Sequence, residues 1–155
     1  IDKSRFAKVL LCSFLMIHSG FVFANPVGGT VVEGAANINQ ADPNKTVITQ
    51  TSNKAVIDWQ HFNIDANQTT QFIQNNQTSI ALNRVTGGDM SRIMGNLNAN
   101  GQVWIINPAG IVFGAGSQIN VGGLLATTAN ISNQDFMSGN YRFTGDANST
   151  ASVIN

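Results

Sequence analysis

Side chains that could carry out chemistry are few in this sequence. Beyond residue 24 it contains one histidine, His61, and no cysteine, so a cysteine nucleophile is excluded and a single imidazole base is available. His61 stands in a strand-like run, residues 58–63, where spacing assigns it neither an orienting acid nor a nucleophile. We therefore expect a strand residue rather than a general base, no catalytic residue, and a protein that is not an enzyme.

Carboxylates and glycine-rich segments give weaker signals. Asp58 and Asp65 could in principle cleave a glycoside as a pair, but unassigned pairs of aspartates are common. The glycine-rich segments lack the Lys-Ser/Thr ending of a phosphate loop. Gly87-Gly88-Asp89 resembles a fragment of a calcium-binding repeat, yet it does not recur. The sequence thus predicts neither a cofactor nor a metal ion.

The charge balance excludes another class of function. Only 10% of the 155 residues are charged, and 8 basic residues balance 8 acidic ones. A strongly basic nucleic-acid-binding protein is therefore excluded, and we expect no nucleic-acid partner. The length is that of one domain.

The N-terminal segment, residues 1–24, has the pattern of a secretory signal peptide. The basic residues Lys3, Arg5 and Lys8 precede an apolar run, residues 9–17, and Ala24 ends a cleavage-site pattern. The apolar run is shorter than the roughly 20 residues that a membrane span needs. The sequence therefore predicts cleavage after residue 24 and a secreted or cell-surface protein.

The rest of the chain, from Asn25 onward, is dominated by uncharged polar side chains and glycine, with Asn the most prominent. Such a composition fits either a disordered low-complexity chain or a β-structure with many turns. Short apolar runs flanked by Gly, Asn, Pro or Asp favour the ordered alternative. These runs cover residues 46–49, 55–59, 71–73, 79–82, 103–106, 111–113 and 124–127. The best helical candidate, residues 89–97, is short and contains Gly95.

The spacing of the strand-like runs limits the architectures that fit the sequence. Strand-like runs begin near Val103, Ile111 and Ile119, eight positions apart, with turn residues between them. That spacing allows a sandwich, a barrel or a solenoid. Three strands and three turns would make a coil of about 24 residues, within the range of repeat architectures. The runs are short and almost entirely apolar, which favours a solenoid of stacked coils over hairpins with alternating faces.

Three segments carry a family resemblance: LNRVTGG at residues 82–88, SRIMGNL at residues 91–97, and ANGQVWIINPAGIVFG at residues 99–114. Together they resemble the two-partner secretion domain, also called the haemagglutination activity domain. This domain opens large exoproteins of Gram-negative bacteria such as filamentous haemagglutinin, related adhesins and haemolysins. The resemblance extends from about residue 25 to the last residue.

The resemblance implies an all-β fold, a right-handed parallel β-helix (solenoid). The family domain is longer than the part of this chain that resembles it. We therefore expect residues 25–155 to be a partial two-partner secretion domain, truncated at its C-terminal end. The resemblance also implies a partner, an outer-membrane β-barrel transporter of the Omp85 type (TpsB). This transporter would recognise the domain in the periplasm and export the exoprotein across the outer membrane.

The same resemblance points to candidate recognition residues. The family motif Asn-Pro-Asn-Gly-Ile appears as Asn107-Pro108-Ala109-Gly110-Ile111, with Ala109 in place of the second Asn. A turn can still form, because proline fixes φ and glycine tolerates positive φ. The motif residues either contact the transporter or only shape a corner of the β-helix. A second family motif, Asn-Pro-Asn-Leu, is missing.

Asn83 and Arg84 are the other candidates for a partner-facing role, and the alternative for them is a solvated turn. Trp104 and Phe113 are expected to be packing residues, under a loop or along the core.

Two other functions remain open at this point. A carbohydrate- or host-surface-binding adhesin module would need aromatic platforms, and Trp59, His61 and Phe62 are the one cluster of that kind beyond residue 24. A polysaccharide-degrading enzyme rests on the analogy that β-helices host such enzymes.

Overall fold

The computed structural model of the chain describes residues 25–155, so the predicted signal peptide lies outside the described residues. Within residues 25–155 the chain forms thirteen strands and one short helix. In chain order they are β1 (Thr30–Glu33), β2 (Ala36–Asp42), β3 (Lys45–Gln50), β4 (Lys54–Trp59), β5 (Thr69–Ile73), β6 (Ile80–Val85), β7 (Ser91–Ile93), β8 (Asn96–Ala99), β9 (Gln102–Ile106), β10 (Ile111–Phe113), β11 (Gln118–Asn120), β12 (Gly123–Thr127), α1 (Asn133–Ser138) and β13 (Val153–Ile154).

The strands make three sheets that the chain visits in turn. Sheet I has the order β1-β4-β6-β9-β12, sheet II the order β13-β10-β7, and sheet III the order β11-β8-β5-β3-β2. From β5 onward the chain runs through sheets III, I and II and then returns to sheet III, and the strands of successive coils pair in parallel. In the described range only β1 and β2, at the N-terminal end of the solenoid, pair antiparallel with their neighbours in these sheets. The predicted all-β parallel β-helix is confirmed.

Strand positions and coil length also agree with the sequence. Each of the seven predicted apolar runs lies in or overlaps one of the strands. Ser91 pairs with Ile111, 20 positions on, and Lys54 pairs with Ile80, 26 positions on. These two offsets lie on either side of the coil length expected from the strand spacing.

The interior of the solenoid is a stack of equivalent side chains. Ala55, Ala81 and Val103 stand in register on β4, β6 and β9, and all three are completely buried. Because each strand contributes alternate residues to the interior, one coil covers the apolar side chains of the next. Burial of a side chain the size of Ile contributes about 1.5–3 kcal/mol, so stacking can hold this chain without a disulfide.

Residues 128–145 cover the outer face of sheet I, and we call this segment the clasp. The outward side chains of Val56, Leu82 and Trp104 form a second buried cluster with Ile131 and Phe136 of the clasp. The central strands of sheet I, β4, β6 and β9, are therefore buried on both faces. This explains why these strands contain runs of consecutive apolar residues.

The clasp contains α1, which the sequence analysis did not predict. Ser132 caps the first turn by accepting a hydrogen bond from the backbone N–H of Asp135, and Gly139 ends the helix with φ +79°. Six residues are too few for a detectable helical period, although the spacing of Ser132 and Gly139 is a helix-capping signal.

The helical candidate at residues 89–97 is wrong, since this segment holds β7 and the start of β8. Gly95 lies in the corner between these strands, and a Cβ there would collide with the backbone oxygens of Asp65 and Gln68. This close approach of two coils explains the glycine and excludes a helix at this point.

The corner between sheets I and II varies in length from coil to coil. It takes five residues after β6 (86–90), four after β9 (107–110) and 25 after β12 (128–152). The long corner carries the clasp, and the chain then returns as β13 to pair in parallel with β10. The register of sheets I and II is maintained on both sides of this excursion.

Buried amides line the corner between sheets III and I. Gln74 Nε2 donates to Gln50 Oε1 at 3.1 Å and to the backbone oxygen of Gln102 at 3.0 Å, and Gln74 Oε1 accepts from Gly101 N at 2.8 Å. Gln50 is 2% and Gln74 6% exposed. Part of the glutamine content therefore serves ordered corners rather than a disordered tract.

Candidate functional site at the motif corner

The family motif forms the tight corner between β9 and β10. Gly110 N donates to Asn107 O at 3.0 Å, which closes the turn, and Gly110 has φ +112°. Asn107 Oδ1 accepts from Ala109 N at 2.9 Å, so the side chain reinforces the turn. The turn predicted for this motif is confirmed, and Ala109 does not prevent it.

The side chain of Asn107 is buried, with 1% of the residue exposed. Its Nδ2 donates to Asp89 O and to Ser91 Oγ, both at 2.9 Å, and so links the motif turn to the corner of the preceding coil. Asn107 thus shapes and joins two corners, while Pro108 is the exposed residue of the turn.

Gly110 and Ile111 are also structural in the folded domain. A Cβ on Gly110 would lie 3.0 Å from Ser152 O, and Ile111 N donates to the same oxygen at 3.1 Å. Ile111 is completely buried in the core of the solenoid. Four of the six candidate residues, Asn83 included, are therefore buried.

Asn83 lies on β6 with its side chain inside the solenoid, completely buried. Its Oδ1 accepts from Trp59 Nε1 at 2.9 Å, and its Nδ2 donates to Trp104 O at 3.3 Å and to Ala81 O at 3.2 Å. The alternative of a solvated turn is wrong for Asn83, which lies within a strand and is buried. The folded domain does not present this residue to a partner either.

Arg84 is the next residue on β6, and its side chain points to the opposite face, beneath the clasp. Its guanidinium pairs with Asp58 Oδ1 at 3.1 Å and donates to Asn130 Oδ1, Asn133 Oδ1 and Ile131 O at 3.0, 2.8 and 2.7 Å. The side chain is only 13% exposed. A solvated turn is therefore wrong for Arg84 as well.

An open cleft of about 370 Å³ brings part of the candidate set together. It is lined by Arg84, Val85, Thr86, Gly88, Asn107, Pro108, Ala109 and Asn130. We call it the motif cleft. Arg84 and the motif turn meet here, whereas Asn83 faces the interior. The charged lining residue, Arg84, is already hydrogen-bonded to protein groups, so the cleft offers mainly amide, hydroxyl and backbone groups.

The partners of Arg84 were not predicted from the sequence. Asp58 stands opposite Arg84 in the parallel register of β4 and β6. An acid and a base one coil apart in sequence are the signal that could have revealed this pair. Asn130 and Asn133 belong to the clasp, whose return to sheet I leaves no comparable periodic signal.

The aromatic cluster considered for carbohydrate binding does not form a surface platform. Trp59 is completely buried and Phe62 is 1% exposed, with their rings packed edge to face at 5.7 Å. His61 lies at the same corner, with Nδ1 3.7 Å from Asp89 Oδ2, beside a second cleft of about 340 Å³. Of the two carboxylates considered for glycoside cleavage, Asp58 is paired with Arg84 at 3.1 Å and Asp65 is an exposed residue of the turn before β5.

Trp104 and Phe113 are packing residues, as expected. Both are 8% exposed, and Phe113 belongs to the inner core. Trp104 lies under the clasp, with ring contacts to Phe136 at 5.5 Å and to Tyr141 at 4.8 Å.

The described residues offer no group of three or more His, Cys, Asp or Glu side chains that could hold a metal ion. No helix between residues 25 and 155 is long and apolar enough to cross a membrane.

The fold and the motif turn together define a class of protein. It is a small parallel β-helix in which the motif turn is hydrogen-bonded to the corner of the preceding coil. Residues 23–155 match the family described as the TPS secretion domain, and the chain belongs to this family. TPS stands for two-partner secretion, so the resemblance seen in the sequence is confirmed.

Known proteins from Haemophilus influenzae are similar to this chain. A heme/hemopexin-binding protein is 40% identical over 141 residues, and a second protein of that name, from strain Rd, is 40% identical over 128 residues. These alignments cover 88% and 80% of this chain. They span only 15% and 14% of the length of these curated relatives. The crystal structure of the HMW1 secretion domain superimposes with a TM-score of 0.79 at 39% identity, covering 84% of this chain and 35% of that one.

Proposed function

We propose that residues 25–155 direct the export of an exoprotein across the outer membrane. An outer-membrane β-barrel transporter of the Omp85 type (TpsB) would recognise them in the periplasm, after residues 1–24 have acted as a signal peptide. The exported protein would be secreted or displayed at the cell surface. Membership of the TPS secretion domain family is the observation that carries this proposal.

The burial of the motif supports recognition of the chain before it folds. Asn83, Asn107, Gly110 and Ile111 are all buried in the folded domain and are accessible only in the unfolded chain. An unfolded segment can add a strand to a partner's sheet edge through its backbone, while its side chains occupy pockets of the partner. The proposed recognition element is therefore Asn83 and Arg84 together with residues 107–111, read in extended form.

The construction of the fold is compatible with passage through a barrel. Beyond residue 24 there is no cysteine, so no disulfide has to be broken or formed. Each coil pairs with the coils adjacent in sequence, so folding can proceed coil by coil as the chain emerges. Burial of apolar surface at about 25 cal/mol per Å² would then favour completion of export.

An export assay with two matched proline variants tests the proposal. Pro108 and Pro43 are both exposed turn residues, and Pro43 lies far from the motif, between β2 and β3. We expect Pro108→Ala to reduce export through a co-expressed Omp85-type transporter, and Pro43→Ala to leave export unchanged. Both variants should retain the thermal transition of the purified domain, because exposed substitutions typically change stability by less than about 0.5 kcal/mol.

Asn107→Ala should reduce export and stability together, because Asn107 is also a structural residue. Ala109→Asn, which restores the family motif, should maintain or raise export. Equal and normal export of Pro108→Ala and Pro43→Ala would show that the motif only shapes the corner. Export that does not depend on the transporter would exclude the proposed function as a whole.

A further inference from the structure

The outer face of sheet I is an apolar strip that crosses successive coils. Val56 on β4, Leu82 on β6, and Trp104 and Ile106 on β9 are buried there. Their cover comes from the clasp, chiefly Ile131 and Phe136, which are 1% and 0% exposed. The clasp therefore shields a surface that the stacked coils alone leave exposed.

Two cations from sheet I hold the clasp at two points, its start and the C-terminal end of α1. At the start, Arg84 donates to Asn130, Ile131 and Asn133. At the end of α1, Lys54 Nζ donates to Phe136 O at 3.1 Å and Met137 O at 3.4 Å. The same ammonium lies 5.7 Å from the ring centroid of Phe136 and 5.1 Å from that of Tyr141. A cation at a helix C-terminus and over aromatic rings is favourable on both counts.

The clasp has no strand ladder with sheet I. Among the described residues, its backbone–backbone hydrogen bonds outside the helix close within the clasp, for example those that join Asn130 and Thr144 at 2.9 and 2.8 Å. Its polar attachment to the sheet consists of the side-chain bonds from Arg84 and Lys54 and of one bond at its root, which Ala129 N donates to Thr127 Oγ1 at 3.0 Å. The clasp can therefore separate from sheet I without breaking any pairing between coils.

We infer that the clasp is a separately opening unit that closes on the assembled solenoid, with Arg84 and Lys54 as the residues that hold it closed. In the open state the parallel sheets persist and the apolar strip on sheet I is exposed. Segments held by side chains over a stable scaffold open at lower free energy than the scaffold itself. The role of the clasp during export rests on the proposed function. Residues 128–145 would then emerge after the strands that they cover and would close last.

Hydrogen–deuterium exchange with mass spectrometry on the purified chain tests this inference without any transporter. Peptides within residues 129–143 should exchange faster than peptides from β6 and β9. Arg84→Met should accelerate exchange in the clasp by about tenfold or more, and exchange in β6 and β9 by less than about threefold. Lys54→Met should give the same pattern with a smaller factor. Arg92→Met, which removes an exposed arginine of β7, is the matched control and should change neither region.

Asn133→Ala keeps the test informative if Arg84→Met fails to fold, because it removes one of these bonds from the side of the clasp and leaves sheet I intact. Binding of an apolar dye should rise in the clasp variants while the β circular dichroism signal is retained. Equal acceleration of exchange in the clasp and in β6 and β9 would show a single cooperative unit and overturn the inference. Unchanged exchange in the clasp of all three variants would overturn it too. A failure of export would leave these results unaffected.

Discussion

Ile105 and Ile106 are adjacent residues of one strand, and both are completely buried, but on opposite faces of sheet I. Ile105 contacts the stacked interior, where its neighbours occupy equivalent positions one coil away. Ile106 lies in the cluster covered by the clasp, which belongs to the long corner after β12. Two equally buried residues can therefore be covered by segments that are held with different strength. The coils around Ile105 are joined by backbone pairing between strands, whereas the clasp over Ile106 is held by side chains.

Paired alanine substitutions at these two residues give the largest effect and test the comparison directly. Ile105→Ala should lower the free energy of unfolding of the β-sheet by about 2–5 kcal/mol, the usual cost of such a cavity in a core. Ile106→Ala should lower it by roughly half as much, because sheet I remains paired when the clasp opens. Urea denaturation followed by circular dichroism measures both. Equal losses would mean that the clasp and the coils unfold as one.

Substitution of a polar residue of the inner face should lower the free energy of unfolding by nearly as much. Asn83→Ala leaves the indole N–H of Trp59 and the backbone oxygen of Trp104 without their partner inside the solenoid. An unsatisfied buried group costs about 1–3 kcal/mol, so the unfolding free energy should fall by that amount. Asn98→Ala, on the outer face of sheet III, is the control and should change it by less than about 0.5 kcal/mol. A harmless Asn83→Ala would show that the inner hydrogen bonds are dispensable.

Two glycines extend the comparison to the corners. Gly110 has φ +112° and lies beneath Ser152, where the chain returns from the clasp, whereas nothing surrounds a Cβ built on Gly116 within 4 Å. Gly110→Val should destabilise the domain by about 1–3 kcal/mol through backbone strain, and Gly116→Val much less. Thermal unfolding of both variants provides the measurement. Similar melting temperatures would contradict the strained corner.

The smallest effect is expected at the helix end of the clasp. Lys54→Met removes the ammonium from the carbonyls of Phe136 and Met137 and should cost about 0.5–1 kcal/mol. Lys45→Met, at an exposed position of β3, is the control and should be neutral. Trp104 packs against Phe136, so its fluorescence during urea titration should shift in the first variant and not in the second.

Local patterns predicted the solenoid, while the clasp depends on contacts that no local pattern encodes. The run that begins at Val103 is continuous and apolar, and this correctly indicated a strand of a solenoid. The same run does not reveal that its outer face is covered by a segment much later in the chain. Asn107 and Gly110 were recognised as turn residues because turn chemistry is local. Asn83 and Arg84 were placed on the surface, because the sequence alone does not show which way each residue of a strand faces.

The corner between sheets I and II changes from four residues to 25 in successive coils while the strands on either side remain in register. The entropy of closing a flexible loop rises by only about 0.6 kcal/mol for each doubling of its length. Such a lengthening therefore costs little free energy. A segment that folds back onto the apolar strip of sheet I gains stability by burying apolar surface. Over evolutionary time such a corner can acquire whole new segments, and in the laboratory it is the natural place to graft an epitope or a reporter into the solenoid.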